Sequence, residues 1–222
     1  LPFLAKYLEH IDSYFKGKIT FTEGKLADFD AVIATGSNNT ARYFEYYFKN
    51  KPNIIRKSRN SVAVLTGKES DLELEKLSND VFNYFGLGCR SVSKIYVPKG
   101  YNFDAFFNGM YNKREIINNA KYANNYDYNK AVYLMSEFDL LENGFLMIKE
   151  DESYSSPIAT VFYEYYQDET SLKNKLEADN DKIQCIVSNG FTANEIAFGE
   201  TQNPQLWDYA DGINTLDFLA KI

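Results

Sequence analysis

The chain is poor in the residues that most often carry metal and acid–base chemistry. It has one histidine, two cysteines, three methionines and one tryptophan among 222 residues. His10 lies in a helix-like segment with no ligand partner at metal spacing, and two distant cysteines make no zinc set. The carboxylates nowhere have the spacing of a calcium loop, and a histidine-dependent triad has only His10 to draw on. One possible disulfide in a chain of this length is weak evidence for an oxidising compartment. Cys89 and Cys185 are therefore read as thiols and the protein as cytoplasmic. No apolar run reaches the ~18 residues of a membrane span, so no span is expected, and no secretory signal is visible. Positive charge is also scarce, 24 Lys and Arg against 31 Asp and Glu, a formal net charge of −7. That field disfavours phosphate backbones, and no nucleic-acid partner is expected. The one notable basic cluster is Lys51, Arg56, Lys57 and Arg59, which suits either a solvated loop or a contact to a phosphorylated cofactor.

What is present is an ordinary globular balance, 45% hydrophobic and 25% charged, with length for one large domain or two small ones. Aromatic residues reach 16%, concentrated in segments such as Tyr43–Phe48 and Phe162–Tyr166, and core filling explains most of them. Leu4, Tyr7, Leu8, Ile11 and Phe15 fall on one helical face. Phe29–Ala34 reads as a buried strand running into Thr35-Gly36-Ser37, a turn and helix N-cap, with a helix over Thr40–Phe48. Further strands are predicted at Ser61–Leu65, Ser93–Val97, Gly144–Lys149, Ile158–Tyr165 and Ile183–Val187. Helices are predicted at Asp71–Phe85, Tyr101–Tyr111, Glu115–Tyr122 and Ser171–Ala178. Asn124–Asn129 reads as an asparagine-rich loop, and Leu216–Leu219 as a helix-like end. This alternation predicts an α/β protein with a mainly parallel sheet.

Two places suit chemistry. Cys89 sits in Gly86-Leu87-Gly88-Cys89-Arg90, between a predicted helix and a strand. Glycines upstream let a substrate approach the backbone. Free N–H groups at Cys89 and beyond, with the Arg90 charge, would stabilise an oxyanion and a thiolate. A small structural hydrophobe is the commoner role of a cysteine, and Cys185, inside Ile183–Val187, is expected to be one. The second place is Val32–Ser37, a glycine turn before a helix N-terminus, where α/β proteins bind phosphorylated cofactors. It lacks a full glycine fingerprint, and an ordinary strand–helix turn accounts for it equally.

Taken together, these segments resemble the aldehyde dehydrogenase superfamily, and within it the acyl-CoA reductase branch that includes the LuxC-type reductases of bioluminescence. Ala31–Ser37 resembles the family's strand and "TGS" turn. Gly86–Arg90 resembles its "GQxC" nucleophile motif, with Ile95–Val97 the following strand. Ser156-Pro157-Ile158 resembles the later "GPV" turn. Phe198–Gln202 with Leu206–Gly212 resembles the closing signature of the branch. The resemblance runs from about Phe29 to Leu219. It departs from the family at Ile54–Asn60, where hydrolytic members carry a water-activating Glu in "ELGG" and this chain has no carboxylate. Without such a base, water attack on a thioester is slow, which suits exchange with a thiol such as coenzyme A.

The resemblance implies an aldehyde dehydrogenase-like fold that starts late, part of a Rossmann-type cofactor lobe followed by an α/β catalytic lobe. Residues 1–60 would end the cofactor lobe, residues 61–197 form the lobe of the nucleophilic cysteine, and residues 198–222 make a tail packing on the lobes or on a partner. The implied reaction is reduction of an acyl-CoA, in the bioluminescence branch a fatty acyl-CoA, to the aldehyde with NADPH or NADH. Cys89 would be the nucleophile, and Gly88 and Arg90 the oxyanion support. Thr35, Gly36 and Ser37 would hold the cofactor, with Glu152 an approximate counterpart of the acid that holds the nicotinamide ribose. Implied partners are the acyl-CoA substrate and either a second copy or an acyl-transferring protein. Two other readings stay open: a non-catalytic lobe serving protein interaction, and an aldehyde oxidiser.

Overall fold

A computed structural model describes residues 1–222. The first elements are α1 (Pro2–Ile11), β1 (Val32–Thr35), α2 (Asn38–Phe48) and β2 (Asn53–Arg56). None of the α1 side chains is buried. The strands β1 and β2 pair in parallel with Val32 opposite Asn53, and α2 is the crossover between them. Such a connection is what parallel neighbours require. The Ser37 side chain accepts from Thr40 N and caps α2, so the helix opens at Asn38, two residues before the predicted start. The strand expected at Phe29 begins only at Val32, where pairing begins. The Ile54–Arg56 segment, read from the sequence only for its missing carboxylate, is the paired strand.

The rest is built on a second sheet. Its elements are β3 (Asn60–Val64), α3 (Asp71–Phe82), β4 (Val92–Pro98), α4 (Phe103–Met110), α5 (Ala120–Met135), β5 (Leu140–Glu142), β6 (Met147–Glu150), β7 (Thr160–Tyr166), α6 (Glu169–Ala178) and β8 (Ile183–Val187), with α7 (Thr215–Leu219) in the tail. The sheet order is β5-β6-β7-β4-β3-β8, and only β5 runs antiparallel. The fold class is thus the α/β class the sequence predicts.

The strand period of two separates two cores. Ala63, Ile95 and Val97 face α3, α4 and α5, whereas Val62, Val64 and Tyr96 face Leu172 and Leu176 of α6. Helices α3 and α4 touch closely at Gly109, where an added Cβ would lie 2.4 Å from the Leu74 Cβ. Ser70 and Glu73 close a capping box at the head of α3, which fixes its start.

One expectation is corrected. Asn124–Asn129 is not a loop but the middle of α5, and β5 follows it. Tyr122 and Tyr126, one helical turn apart, are buried, and Tyr122 donates to Phe145 O at 2.8 Å. Asn129 donates to Ile158 O at 2.9 Å. Packing on one face outweighs the poor helix propensity of asparagine. The segment Glu115–Asn118, predicted α-helical, is a 3-10 turn that leads into α5.

Candidate active site

Because β3, β4, β7 and β8 are parallel, the segments that precede them gather at one end of the sheet. Cys89 precedes β4, Arg59 precedes β3, the 151–159 loop precedes β7, and Cys185 is the central residue of β8.

The approach to Cys89 is strained. Helix α3 stops at Phe82, short of the predicted Phe85, because Tyr84, Phe85 and Gly86 all take left-handed backbone angles (φ 57°, 59° and 72°). Non-glycine residues there cost on the order of 1–2 kcal/mol each, and such strain clusters at functional sites. At Gly88 an added Cβ would lie 3.2 Å from Ser91 Oγ and 3.7 Å from Gln202 Nε2. Cys89 itself is exposed and free.

The turn is held from three sides. Ser91 N donates to Gly88 O at 2.9 Å, Ser61 Oγ donates to Cys89 O at 2.9 Å, and Arg90 Nε donates to Thr201 O. The carbonyls are thereby occupied, whereas the N–H groups of Cys89 and Arg90 meet no protein acceptor. Two adjacent free donors beside an exposed thiol are the parts of an oxyanion hole. Thr201 is anchored in turn by Asp80, a buried carboxylate that accepts from Gly199 N (2.6 Å), Thr201 N (3.1 Å) and Thr201 Oγ1 (2.8 Å). Burial holds the Asp80 carboxyl above the ordinary carboxylate range, and these three hydrogen bonds oppose it. The Gln202 side-chain nitrogen is buried without a hydrogen-bond partner.

The 151–159 loop is tied to β4. Ser93 Oγ donates to Tyr154 O at 2.6 Å. Lys94 Nζ, fully buried, donates to Glu152 O at 2.8 Å and to Glu164 Oε2 at 2.7 Å. Burial depresses the Lys94 ammonium pKa and the Glu164 carboxylate holds it up. Glu152 thus lies at the same sheet end as Cys89, with its side chain exposed. Gly86, Ser156 and Pro157 line one small apolar pocket, so the Gly86–Arg90 turn and the Ser156–Ile158 segment are neighbours. Cys185 is buried, and burial pushes its thiol pKa up.

The Thr35–Ser37 turn lies on the other sheet. Gly36 N donates to Arg56 O at 3.1 Å. An added Cβ at Gly36 would lie 2.9 Å from both Cβ and Cγ2 of Thr40, so only glycine fits. The α2 N-terminus offers backbone N–H groups beyond the one that Ser37 caps. That donor set suits an oxygen-rich cofactor group. No hydrogen bond or ion pair joins this turn to Cys89, Arg90 or Glu152. The link between the sheets runs through Arg56, 3.7 Å from Asp211 and 3.4 Å from Thr215 Oγ1 in the tail.

Sequence reasoning missed Ser61, Asp80, Lys94 and Gln202. Lys94 had a signal, a charge inside the apolar strand Ile95–Val97 extends, and so did Asp80, a carboxylate beside Leu77 and Val81 on the apolar face of α3. Ser61 had none, because the carbonyl it meets is distant in sequence, and Gln202 entered the sequence reading only within the Phe198–Gln202 resemblance.

No protein-family model matches the chain, and no curated protein sequence matches it. Solved structures do. Aldehyde dehydrogenase 21 from Physcomitrella patens, in complex with the reaction product succinate, aligns at 14% identity and a TM-score of 0.51, covering 72% of this chain and 39% of that one. A substrate-bound AldH of Staphylococcus aureus aligns at 12% identity and a TM-score of 0.51, covering 79% and 44%. An oxidoreductase from Marinobacter aquaeolei aligns at 15% identity and a TM-score of 0.50, covering 76% and 42%. The chain spans about two-fifths of the length of these structures (39% to 44%). At these identities the likeness is one of fold, and the chain has the fold of a portion of an aldehyde dehydrogenase.

Proposed function

We propose that this chain carries the acyl-accepting cysteine of a nicotinamide-dependent oxidoreductase that reduces an acyl-CoA to its aldehyde. The observation that carries the reading is Cys89 itself: an exposed thiol on a strained, glycine-flanked turn, beside two backbone N–H groups without acceptors. In this reading the Cys89 sulfur attacks the thioester carbonyl and the N–H groups of Cys89 and Arg90 hold the oxyanion. The carbon–sulfur bond to coenzyme A then breaks, the thiol leaves with the proton given up by Cys89, and the acyl group stays on the enzyme. The free amide of Gln202, packed beside Gly88, is placed to give a third donor. Thr35, Gly36 and Ser37 would hold the nicotinamide cofactor, NADPH or NADH, with Glu152 at its ribose. When bound, that cofactor supplies the hydride that turns the thioester into a thiohemiacetal. The thiohemiacetal oxygen takes one proton from water, and collapse to the aldehyde passes that proton to the Cys89 sulfur, so each turnover consumes one proton.

Aldehyde oxidation is the second reading, favoured by the names of the similar structures. It passes through the same thioester and differs in what releases it. The Ile54–Asn60 segment offers no carboxylate to activate water, and Asp80 is committed to Gly199 and Thr201. Both features support release to a thiol.

The test is intact-mass spectrometry after mixing the chain with an acyl-CoA and no nicotinamide. One acyl mass is expected on the protein and on Cys185→Ser, and none on Cys89→Ser. An adduct that persists in Cys89→Ser sinks the assignment.

A further inference from the structure

An open cleft of about 950 Å³ lies between β8, α6 and the tail, and Arg59, Arg90, Cys185, Trp207 and Tyr209 line it. It opens at the sheet end that holds Cys89, since Arg90 follows the nucleophile directly. Of the basic cluster, only Arg59 lines this cleft. Arg56 faces Asp211 at 3.7 Å and Lys57 pairs with Glu45 at 2.7 Å, while Arg59 has no carboxylate partner. Arg90 commits only its Nε, to Thr201 O.

The acids of the cleft are mostly occupied. Glu195 accepts from Ser188 Oγ and from the N–H groups of Gly190, Phe191 and Thr192. Asp208 accepts from Gln205 N and Asp211 faces Arg56. Glu177, at the exposed rim, is the one carboxylate left without a partner. Two guanidinium groups with free N–H donors are a match for phosphate oxygens. The Trp207 ring, 71% exposed and without an aromatic or cationic partner, is a match for a planar base.

We propose that this cleft binds the adenosine diphosphate group of a soluble carrier, with the base on Trp207 and the phosphates on Arg59 and Arg90. Two carriers share that chemistry, coenzyme A and the nicotinamide dinucleotides. The acyl-thioester reading above is what makes coenzyme A the first choice, and the site is tested independently of it.

Trp207 is the only tryptophan, so its fluorescence reports this cleft alone. The full chain is titrated with desulfo-coenzyme A, NADH, NADPH and, as a control, adenosine. A saturable change with at least one phosphorylated ligand, and none with adenosine, is expected. Arg59→Ala should raise the half-saturation concentration by about tenfold or more, as loss of a charged phosphate contact does. Arg59→Lys should recover part of it, which separates charge from folding. No saturable change with any of the three, or equal half-saturation in wild type and Arg59→Ala, overturns the proposal. Response to coenzyme A but not to the dinucleotides, or the reverse, identifies the carrier. Acylation of Cys89 by an acyl-N-acetylcysteamine thioester, which has no nucleotide, reads the cysteine assignment separately in the wild-type chain. Its failure beside a saturable titration sinks the thioester reading and leaves the cleft standing.

Discussion

At the scale of single residues, the turn before Cys89 carries the clearest consequences. Gly86 has φ 72°, and an added Cβ would lie 3.1 Å from Val81 O. Gly86→Ala should therefore cost about 1–2 kcal/mol, read as a lower midpoint in urea unfolding with an unchanged slope. The opposite change is informative too. Phe85→Gly relieves left-handed strain but removes a ring packed 6.4 Å from Tyr122. No net stabilisation is expected, because the lost packing offsets the relief. Gln202 is the other residue of interest. Its amide nitrogen is buried and orphaned, and if it serves the oxyanion, Gln202→Leu should slow acylation of Cys89 by roughly 10²-fold, the usual effect of one lost donor. Thermal stability should hold or rise, since an unpaired buried donor is removed. A rate equal to wild type in stopped mass-spectrometric time courses would exclude that role.

At the scale of elements, Lys94 ties β4 to two others. It reaches the Glu152 carbonyl and the Glu164 carboxylate of β7, and Lys175 of α6 pairs with the same carboxylate. Lys94→Met keeps the volume and removes the charge. Glu164 retains Lys175, so the cost should be about 1–3 kcal/mol, below that of a carboxylate left alone. The diagnostic readout is amide hydrogen exchange. Residues 151–155 should lose protection in Lys94→Met while α3 keeps it. Uniform loss across the chain would show that Lys94 supports the whole sheet and not the loop. The same scale explains what the sequence concealed. The periods of α3, α6 and the inner strands were legible because each buries one face on its own neighbours. The 124–129 helix was not. Its asparagines argue for a loop, and only the distant partners Phe145 and Ile158 make the helix worth forming. The left-handed residues that cut α3 short at Phe82 were equally hidden, since nothing in Tyr84 or Phe85 announces a positive φ.

At the scale of the whole molecule, charge couples the site loop to acid stability. The Asp151 carboxyl is shifted from its ordinary 3.8 to about 2: burial would raise it, but Lys149 and the Ser153 N–H outweigh that. A carboxylate with a depressed folded-state pKa stabilises the fold above its unfolded value and loses that contribution as pH falls. Between pH 3.8 and about 2 the wild type should therefore lose melting temperature faster than Asp151→Asn. The two curves should converge near the lower limit. Parallel curves throughout would mean that the pair contributes no pH-dependent stability. The second whole-molecule feature is the tail, which touches the small sheet through Arg56 with Asp211 and Thr215, and the large one through Asp80 with Gly199 and Thr201. Asp80→Ala leaves three donors unpaired, two of them on buried Thr201, and should lower stability by about 3 kcal/mol. It should also slow the Cys89 reaction, because Arg90 is held by Thr201.

The sequence by itself determined the α/β class, most strand positions, and the candidacy of Cys89. Those follow from local periodicity, caps and a short glycine-flanked motif, all of which act over a few residues. Only the tertiary structure decided which residues meet. It put Ser61, Ser93 and Lys94 against the Cys89 turn and the 151–159 loop. It occupied Arg56 and Lys57 while leaving Arg59 free, and brought Trp207 to the same cleft. These are contacts between strands and loops far apart in the chain, selected by parallel sheet order and burial, and no local pattern encodes them.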